Sequence, residues 1–150
     1  MEDYEERFES YHRKESRIQF DLELFNKITK GGLPNKTLNI ALAGTGVGKS
    51  LFMCHHASSV LLDGKNVLYI TLEMAEEKIA ERIDANLLNV NIQDITDLPK
   101  PMFDKKVNSI AKKTQGTLII KEYPTASAHS GHFKSLLNDC LLYTSDAADE

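Results

Sequence analysis

Apolar residues along the chain fall into two kinds of pattern, and together they predict an α/β fold. Short, mostly apolar runs, typical of buried strands, lie at residues 38–43, 67–72 and 117–123. Around these runs, apolar residues recur at intervals of three and four, as they do on the buried face of a helix. Because the strands alternate with helices of about ten or more residues, we expect β-α-β units and a parallel sheet flanked by helices.

Helices are predicted before and after the first of these strands. Residues 19–30 are predicted to form a short helix that carries Phe25 and Ile28, and the segment that follows it, GGLPNKT at residues 31–37, is typical of a turn. A longer helix is predicted over residues 49–62 and should end at Gly64. The inner face of that helix should carry Phe52, Cys54, Ala57, Val60 and Leu61.

Further helices follow the second strand. Ile79, Ile83 and Leu87 are spaced by four and mark an amphipathic helix. The next helix should begin near Pro101, since proline is tolerated in a first turn, and the last should begin near Ser130.

Residues 1–18 are rich in charge and carry a thin aromatic stripe. Tyr4, Phe8 and Tyr11 fall at i, i+4 and i+7, on one face of a predicted helix. This pattern fits either a solvated helix or an interaction helix that docks on a neighbour.

The composition is ordinary for a soluble globular domain. The 150 residues are 41% hydrophobic and 27% charged, and no apolar run approaches the roughly 20 residues of a membrane span. The acidic start, MEDYEERFES, is not a signal peptide, and two cysteines, Cys54 and Cys140, give no disulfide framework. We therefore expect an intracellular, reducing setting. The net charge of -4 gives no global signature of nucleic-acid binding, although a groove can be locally basic.

Residues 43–50, AGTGVGKS, follow a predicted strand and open a predicted helix, which is the setting of a phosphate-binding loop. The pattern G-x-x-x-x-G-K-[ST] is met except at its first position, where Ala43 stands. Glycine-rich backbone can bring N–H groups against phosphate oxygens, Lys49 can bridge the β- and γ-phosphates, and the Ser50 hydroxyl can hold Mg²⁺. The predicted nucleotide-binding residues are Ala43, Gly44, Thr45, Gly46, Val47, Gly48, Lys49, Ser50 and Leu51.

Glu73 follows the second predicted strand, in YITLEM. Ligands of open parallel sheets bind outside the carboxyl ends of the strands, and the phosphate loop leaves the same edge. A carboxylate there could orient or deprotonate the water that attacks the γ-phosphate. It could equally be a first-turn glutamate that only favours the dipole of the next helix, and position alone leaves both open.

Two longer stretches, FNKITKGGLPNKTLNIALAGTGVGKS and NVLYITLEMAEEKIAERIDAN, resemble the ATPase domain of DnaB-type replicative helicases, above all those of T-even-type tailed phages. The resemblance extends over nearly all of residues 3–139 and includes RIDAN, KEYPT and FKSLLN further along the chain. In this family the first glycine of the loop is commonly replaced by alanine, so Ala43 is a family trait.

The resemblance implies a RecA-like P-loop NTPase that uses ATP and Mg²⁺, with Lys49 on the nucleotide, Ser50 on the magnesium ion and Glu73 as the catalytic glutamate. Arg82, on the following helix, is left open as an interface residue or a support residue. The family forms homo-hexameric rings that hydrolyse ATP between subunits and pull single-stranded DNA through the centre. A primase, a helicase loader, the cytoplasm of an infected bacterium and no membrane association are also implied. Residues 1–18 would match the linker helix that docks on the adjacent subunit.

Several parts of the family's machinery are not found in this sequence. These are the second magnesium-site aspartate, the DNA-contacting loops, the arginine finger and the N-terminal collar domain. Residues 19–139 therefore match the N-terminal part of a RecA-like ATPase domain. An arginine finger alone contributes about 10³–10⁵ in rate, so its loss would cripple hydrolysis. An incomplete sheet also leaves strand edges and helix faces uncovered. We therefore expect the isolated chain to be marginally stable and without useful ATPase or unwinding activity.

The last residues, CLLYTSDAADE at 140–150, break the helical apolar pattern that precedes them. They resemble the in-frame translation of a transposase sequencing adapter, which would make them a non-native tail after Asp139. A natural frayed tail is the alternative.

Other functions remain open on the sequence. A recombinase-type RecA-like ATPase shares the fold, although the block from TLEM to RIDAN fits it less well. A small-molecule kinase would need an arginine-bearing lid, which we do not find. A nucleotide-binding module without catalysis would bind an ATP analogue through Lys49 and show no turnover.

Overall fold

The computed structural model describes residues 4–12, 16–114, 116–124 and 128–146, with side chains described up to residue 9 in the first helix and up to residue 140 in the last. The chain forms two compact units, Met1–Lys49 and Ser50–Glu150. Each unit contains a small sheet of its own. The Tyr11 side chain of the predicted aromatic stripe and Thr125 of KEYPT lie outside the described residues.

The first unit combines short helices with a two-residue strand pair. Arg17 lies at the centre of this arrangement, because its Nη1 donates to the carbonyls of Thr29 at 3.0 Å and Gly32 at 3.2 Å. A β-carbon at Gly32 would clash with the Ile18 carbonyl, so this close backbone approach requires glycine. The elements are α1 (Tyr4–His12), β1 (Arg17–Ile18), α2 (Glu23–Ile28) and β2 (Leu33–Pro34), with β1 antiparallel to β2.

The strand pair corrects one prediction. The segment GGLPNKT was expected to be only a turn, but Leu33–Pro34 within it forms β2. Proline is compatible with this position because the strand is short and lies at the edge of a two-stranded pair. The helix predicted over residues 19–30 is confirmed as α2, which is shorter and covers Glu23–Ile28.

The predicted strand over residues 38–43 is wrong for this structure. The segment has no strand assignment, and its side chains are exposed: Leu38 by 89%, Ile40 by 73% and Leu42 by 93%. A strand needs a neighbour to satisfy its backbone groups, and among the described residues no segment pairs with this one. The apolar pattern indicates which side chains a strand here would bury. It does not show whether another strand is available to pair with the segment.

The second unit follows the predicted alternation of helices and strands. Helix α3 has the predicted bounds, and its C-terminus is closed by Gly64 at φ +77°, with the Lys65 N–H donating to the Val60 carbonyl at 3.2 Å. The elements are α3 (Lys49–Leu62), β3 (Val67–Thr71), α4 (Glu76–Leu88), α5 (Lys100–Ala111), β4 (Leu118–Glu122) and α6 (Ser130–Asp146).

The sheet of the second unit confirms the predicted parallel β-α-β connection. Strands β3 and β4 pair in parallel from Val67 opposite Leu118 to Thr71 opposite Glu122, and α4 and α5 lie between them in sequence. Within the described residues this sheet has two strands, fewer than predicted, because residues 38–43 do not join it.

The core of the second unit is formed by α3 and α4. Ile79 and Ile83, both predicted to face inward, are 1% and 0% exposed. They pack with Cys54, Ala57 and Leu61 of α3, and partly buried residues of both strands complete the cluster. The predicted inner faces of α3 and α4 are therefore confirmed, with Phe52 and Leu87 at the partly buried margin.

The remaining helices are less deeply packed. Pro101 stands in the first turn of α5, as predicted, and none of the described side chains of α5 is fully buried. Helix α6 begins at Ser130, as predicted, and runs past Asp139 to Asp146 without a break. The non-native origin of residues 140–150 stays a prediction. In the described part of the chain, no helix has both the length and the apolar character to cross a bilayer.

Candidate nucleotide-binding site

The predicted phosphate loop is a tight turn that depends on glycine. The Val47 N–H donates to the Gly44 carbonyl at 3.4 Å. Gly46 and Gly48 have φ values of +75° and +102°, a region that L side chains rarely adopt. A β-carbon at either position would meet no atom of the described chain within 4 Å. These glycines are therefore needed for the backbone conformation of the loop, and not for space around it.

Helix α3 begins where the loop ends. Lys49 is its first residue, Ser50 is its second, and its first turn contains no acidic residue. The first N–H groups of a helix have no partner within the helix, and the helix dipole adds partial positive charge at this end. The start of α3 is thus chemically suited to an anion such as a phosphate group.

Most of the predicted nucleotide-binding residues are open to solvent. Gly48 and Ser50 are partly buried, whereas the exposed positions are Ala43, Gly44, Thr45, Gly46, Val47, Lys49 and Leu51. A polyphosphate could approach this loop without displacing packed side chains. The loop up to Lys49 belongs to the first unit, and Glu73 belongs to the second.

Glu73 lies in a bend between β3 and α4, and its side chain is exposed. Strand β3 ends at Thr71, whose hydroxyl accepts the Met74 N–H at 3.0 Å and donates to the Met74 carbonyl at 2.9 Å. The bend that carries Glu73 is therefore held by one buried side chain at the carboxyl end of the strand.

Arg82 contacts the same bend from α4. Its Nη1 lies 3.3 Å from the sulfur of Met74, and Met74 packs on the hydrophobic core of the unit. A thioether is a weak acceptor, so this contact adds packing more than hydrogen-bond strength. The structure thus places Arg82, for which the sequence left an interface or a support role open, against Met74 at the end of the bend that carries Glu73.

The thiol of Cys54 and the phenol of Tyr69 contact each other in the hydrophobic core of the second unit. Cys54 Sγ donates to the Tyr69 hydroxyl at 3.9 Å. Burial raises the pKa of the Cys54 thiol, and burial together with Cys54 raises the pKa of Tyr69 to about 12, while the Arg82 charge opposes both shifts. Both groups are neutral at neutral pH, so they are packing residues and not nucleophiles.

Thr71 is the residue that sequence reasoning missed. Hydroxyl side chains often bond to backbone a few residues away, and T-L-E-M offers that spacing. Threonine is also an ordinary strand residue, however, so its presence at a strand end carries no distinctive signal. Only the contacts with Met74 show that Thr71 holds the bend and is not merely a strand residue.

An apolar cleft of about 290 Å³ lies elsewhere in the second unit. Asn66, Val67 and Thr117, at the starts of the two strands, line it together with Leu137 and Cys140 of α6. The cleft is at the amino end of the sheet, whereas Glu73 follows the carboxyl end of β3. It is therefore separate from the candidate catalytic glutamate.

Comparison with known proteins identifies the family to which the chain belongs. Residues 18–134 match the family described as DnaB-like helicase C terminal domain, and this match covers well over half of the chain. The chain belongs to that family, which confirms the resemblance inferred from the sequence.

A particular relative sharpens this assignment. The chain is 48% identical over 145 residues to a DnaB-like replicative helicase of Enterobacteria phage T4. The matched region is 95% of this chain but 30% of that protein, so the chain spans less than a third of the relative's length.

Proposed function

We propose that this chain supplies the ATP-binding part of a replicative DNA helicase with a RecA-like core. Membership in the DnaB-like family and 48% identity to a phage T4 replicative helicase support the proposal. Within the full-length protein, the segment would act in a homo-hexamer that couples ATP hydrolysis to movement along single-stranded DNA and to duplex unwinding.

The observation that carries the proposal is the glycine-dependent loop at the start of α3. Gly46 and Gly48 hold backbone conformations suited to a phosphate cradle, and α3 begins at Lys49 without a competing acidic residue. The loop residues 43–51 would hold the polyphosphate of ATP, with Lys49 on the β- and γ-phosphates and the Ser50 hydroxyl on Mg²⁺. When bound, Mg²⁺ would offset the negative charge that develops during phosphoryl transfer.

Glu73 is proposed as the catalytic glutamate. Its carboxylate would accept a proton from, or orient, the water that attacks the γ-phosphate. An exposed carboxylate at the carboxyl end of a parallel strand is suited to this role.

The wider context follows from the proposed parent. A primase and a helicase loader are expected partners, and the cytoplasm of an infected bacterium is the expected location. Tyr4 and Phe8 are exposed along α1, as a helix that docks on an adjacent subunit requires. We propose that residues 1–18 serve as that linker and that residues 19–139 form the N-terminal part of the ATPase domain.

Binding of a fluorescent ATP analogue to the 150-residue chain tests the site. Lys49→Ala should weaken Mg²⁺-dependent binding by roughly tenfold or more, since a charge-assisted contact contributes about 1.5–3 kcal/mol. Lys27→Ala, which removes an exposed lysine that pairs with Glu23 on α2, should leave binding unchanged. Equal binding by the wild-type chain and Lys49→Ala would contradict the assignment.

A further inference from the structure

The Glu73 carboxylate has no side-chain support of its own in the structure. Within the described part of the chain, it makes no hydrogen bond or ion pair, and it is exposed. Its direction is therefore set by the backbone of the bend that carries it. A general base must lie within hydrogen-bond reach of its water, so the conformation of this bend matters for catalysis.

Thr71 fixes that bend from the end of β3. Its side chain bonds to both the N–H and the carbonyl of Met74, at 3.0 Å and 2.9 Å, and the residue is 7% exposed. The two bonds bracket Leu72 and Glu73 between their ends. If the hydroxyl were lost, the N–H and the carbonyl of Met74 would lose this partner. Because Thr71 is buried, water could not readily take its place.

The strand that carries Thr71 is itself held in place. The Thr71 carbonyl accepts the Tyr123 N–H at 2.9 Å, and Thr71 lies opposite Glu122 in the parallel register of β3 and β4. The hydroxyl therefore connects a fixed position in the sheet to the exposed bend. This arrangement suits a residue that holds the bend in place, and not one that binds a ligand itself.

We infer that Thr71 is a positioning residue for Glu73: its hydroxyl holds the Leu72–Met74 bend so that the carboxylate faces the attacking water. This inference rests on the proposed catalytic role of Glu73. It requires a hydroxyl, and serine would satisfy it, whereas the isosteric valine would not.

Steady-state ATP turnover by the full-length hexameric protein that contains this segment tests the inference. Thr71→Val should lower kcat by about 10- to 100-fold, because small misplacements of a catalytic group have effects of this size, and should leave the KM for ATP within about twofold. Thr71→Ser should retain most of the wild-type kcat. Thr117→Val, at an exposed position just before β4, is the matched control and should behave as wild type.

The results separate this inference from the proposed function. If Glu73→Gln loses turnover but Thr71→Val keeps the wild-type kcat, the positioning role is overturned while the catalytic role stands. If Glu73→Gln keeps wild-type turnover, both are overturned. A Thr71→Ser variant that falls as far as Thr71→Val would also overturn the inference, because the hydroxyl would then not be the operative group.

Should Thr71→Val reduce the yield of folded hexamer, amide hydrogen exchange of the 150-residue chain provides a second test. Faster amide exchange at Met74 in Thr71→Val, with wild-type exchange in Thr71→Ser, supports the positioning role of the Thr71 hydroxyl. Unchanged exchange at Met74 in Thr71→Val overturns it.

Discussion

Glu76 and Glu122 cap each other's backbone across the carboxyl edge of the β3–β4 sheet. Glu76 Oε1 accepts the Glu122 N–H at 2.8 Å, and Glu122 Oε2 accepts the Glu76 N–H at 3.3 Å. One residue is the first of α4 and the other is the last of β4. The pair therefore ties the start of the helix that follows the Glu73 bend to the end of the neighbouring strand.

Glu76→Ala tests this reciprocal link. The substitution leaves the Glu122 N–H without its carboxylate acceptor and should lower the free energy of unfolding by about 0.5–2 kcal/mol, the range for loss of a cap. Glu77→Ala removes the same charge from the same first turn of α4 and should cost no more than about 0.5 kcal/mol. Urea denaturation followed by circular dichroism measures both. Equal losses would mean that only the helix dipole is involved.

Adjacent leucines on α3 test the position of the core. Leu61 is 3% exposed and belongs to the central cluster, whereas Leu62 is 50% exposed. Leu61→Ala should therefore cost about 2–5 kcal/mol of unfolding free energy, and Leu62→Ala about 0.5 kcal/mol or less. The comparison is made by urea denaturation at one temperature. A reversed order would place the other face of α3 against the sheet.

His56 should make the chain less stable in mild acid. Burial, and secondarily the charge of His55, lowers the pKa of His56 below the ordinary 6.5. The unfolded state then takes up a proton first as the pH falls, so the stabilising contribution is present above pH 6.5 and is lost as pH falls through the folded-state pKa. Burial raises the pKa of Asp84 above its ordinary 3.8. This shift has the opposite pH dependence: its stabilising contribution is present below pH 3.8 and is lost as the pH rises through the folded-state pKa.

The measurement is the urea midpoint between about pH 7.5 and pH 5.5. Wild type should lose stability on acidification, and His56→Gln should lose less over the same interval. A slope unaffected by His56→Gln would show that this histidine is not responsible.

Residues 38–43 should exchange their amide protons freely in this chain. Within the described structure these residues form no ladder, whereas β3 is paired along its full length with β4. Exchange at 38–43 should lie within about tenfold of the intrinsic rate, and exchange in Val67–Thr71 should be markedly slower. Amide exchange followed by mass spectrometry decides this. Strong protection at 38–43 would show that the segment is paired after all.

Local signals account for what the sequence predicted well. The bounds of α3 follow from a helical apolar stripe and a glycine at its end, and both act within a few residues. The same is true of α4, whose two most buried isoleucines stand one turn apart. The phosphate loop is likewise a contiguous motif, so its residues can be proposed from the order of amino acids alone.

Contacts between distant parts of the chain account for what the sequence missed. Strand β1 pairs with β2 over two residues, too few for any period to appear, and the exposure of residues 38–43 depends on the absence of a partner among the described residues. Thr71 could not be singled out, because its role lies in where its hydroxyl points. The mutual capping of Glu76 and Glu122 likewise joins residues far apart in sequence.

The most direct test of the proposed catalytic site is ATP binding and turnover measured side by side in full-length protein carrying Glu73→Gln. The variant should still bind ATP with Mg²⁺, because Lys49 and the loop are intact. It should lose DNA-stimulated hydrolysis by about 10²–10⁴-fold, the usual contribution of a general base. Hydrolysis at the wild-type rate in Glu73→Gln would contradict the catalytic role of Glu73.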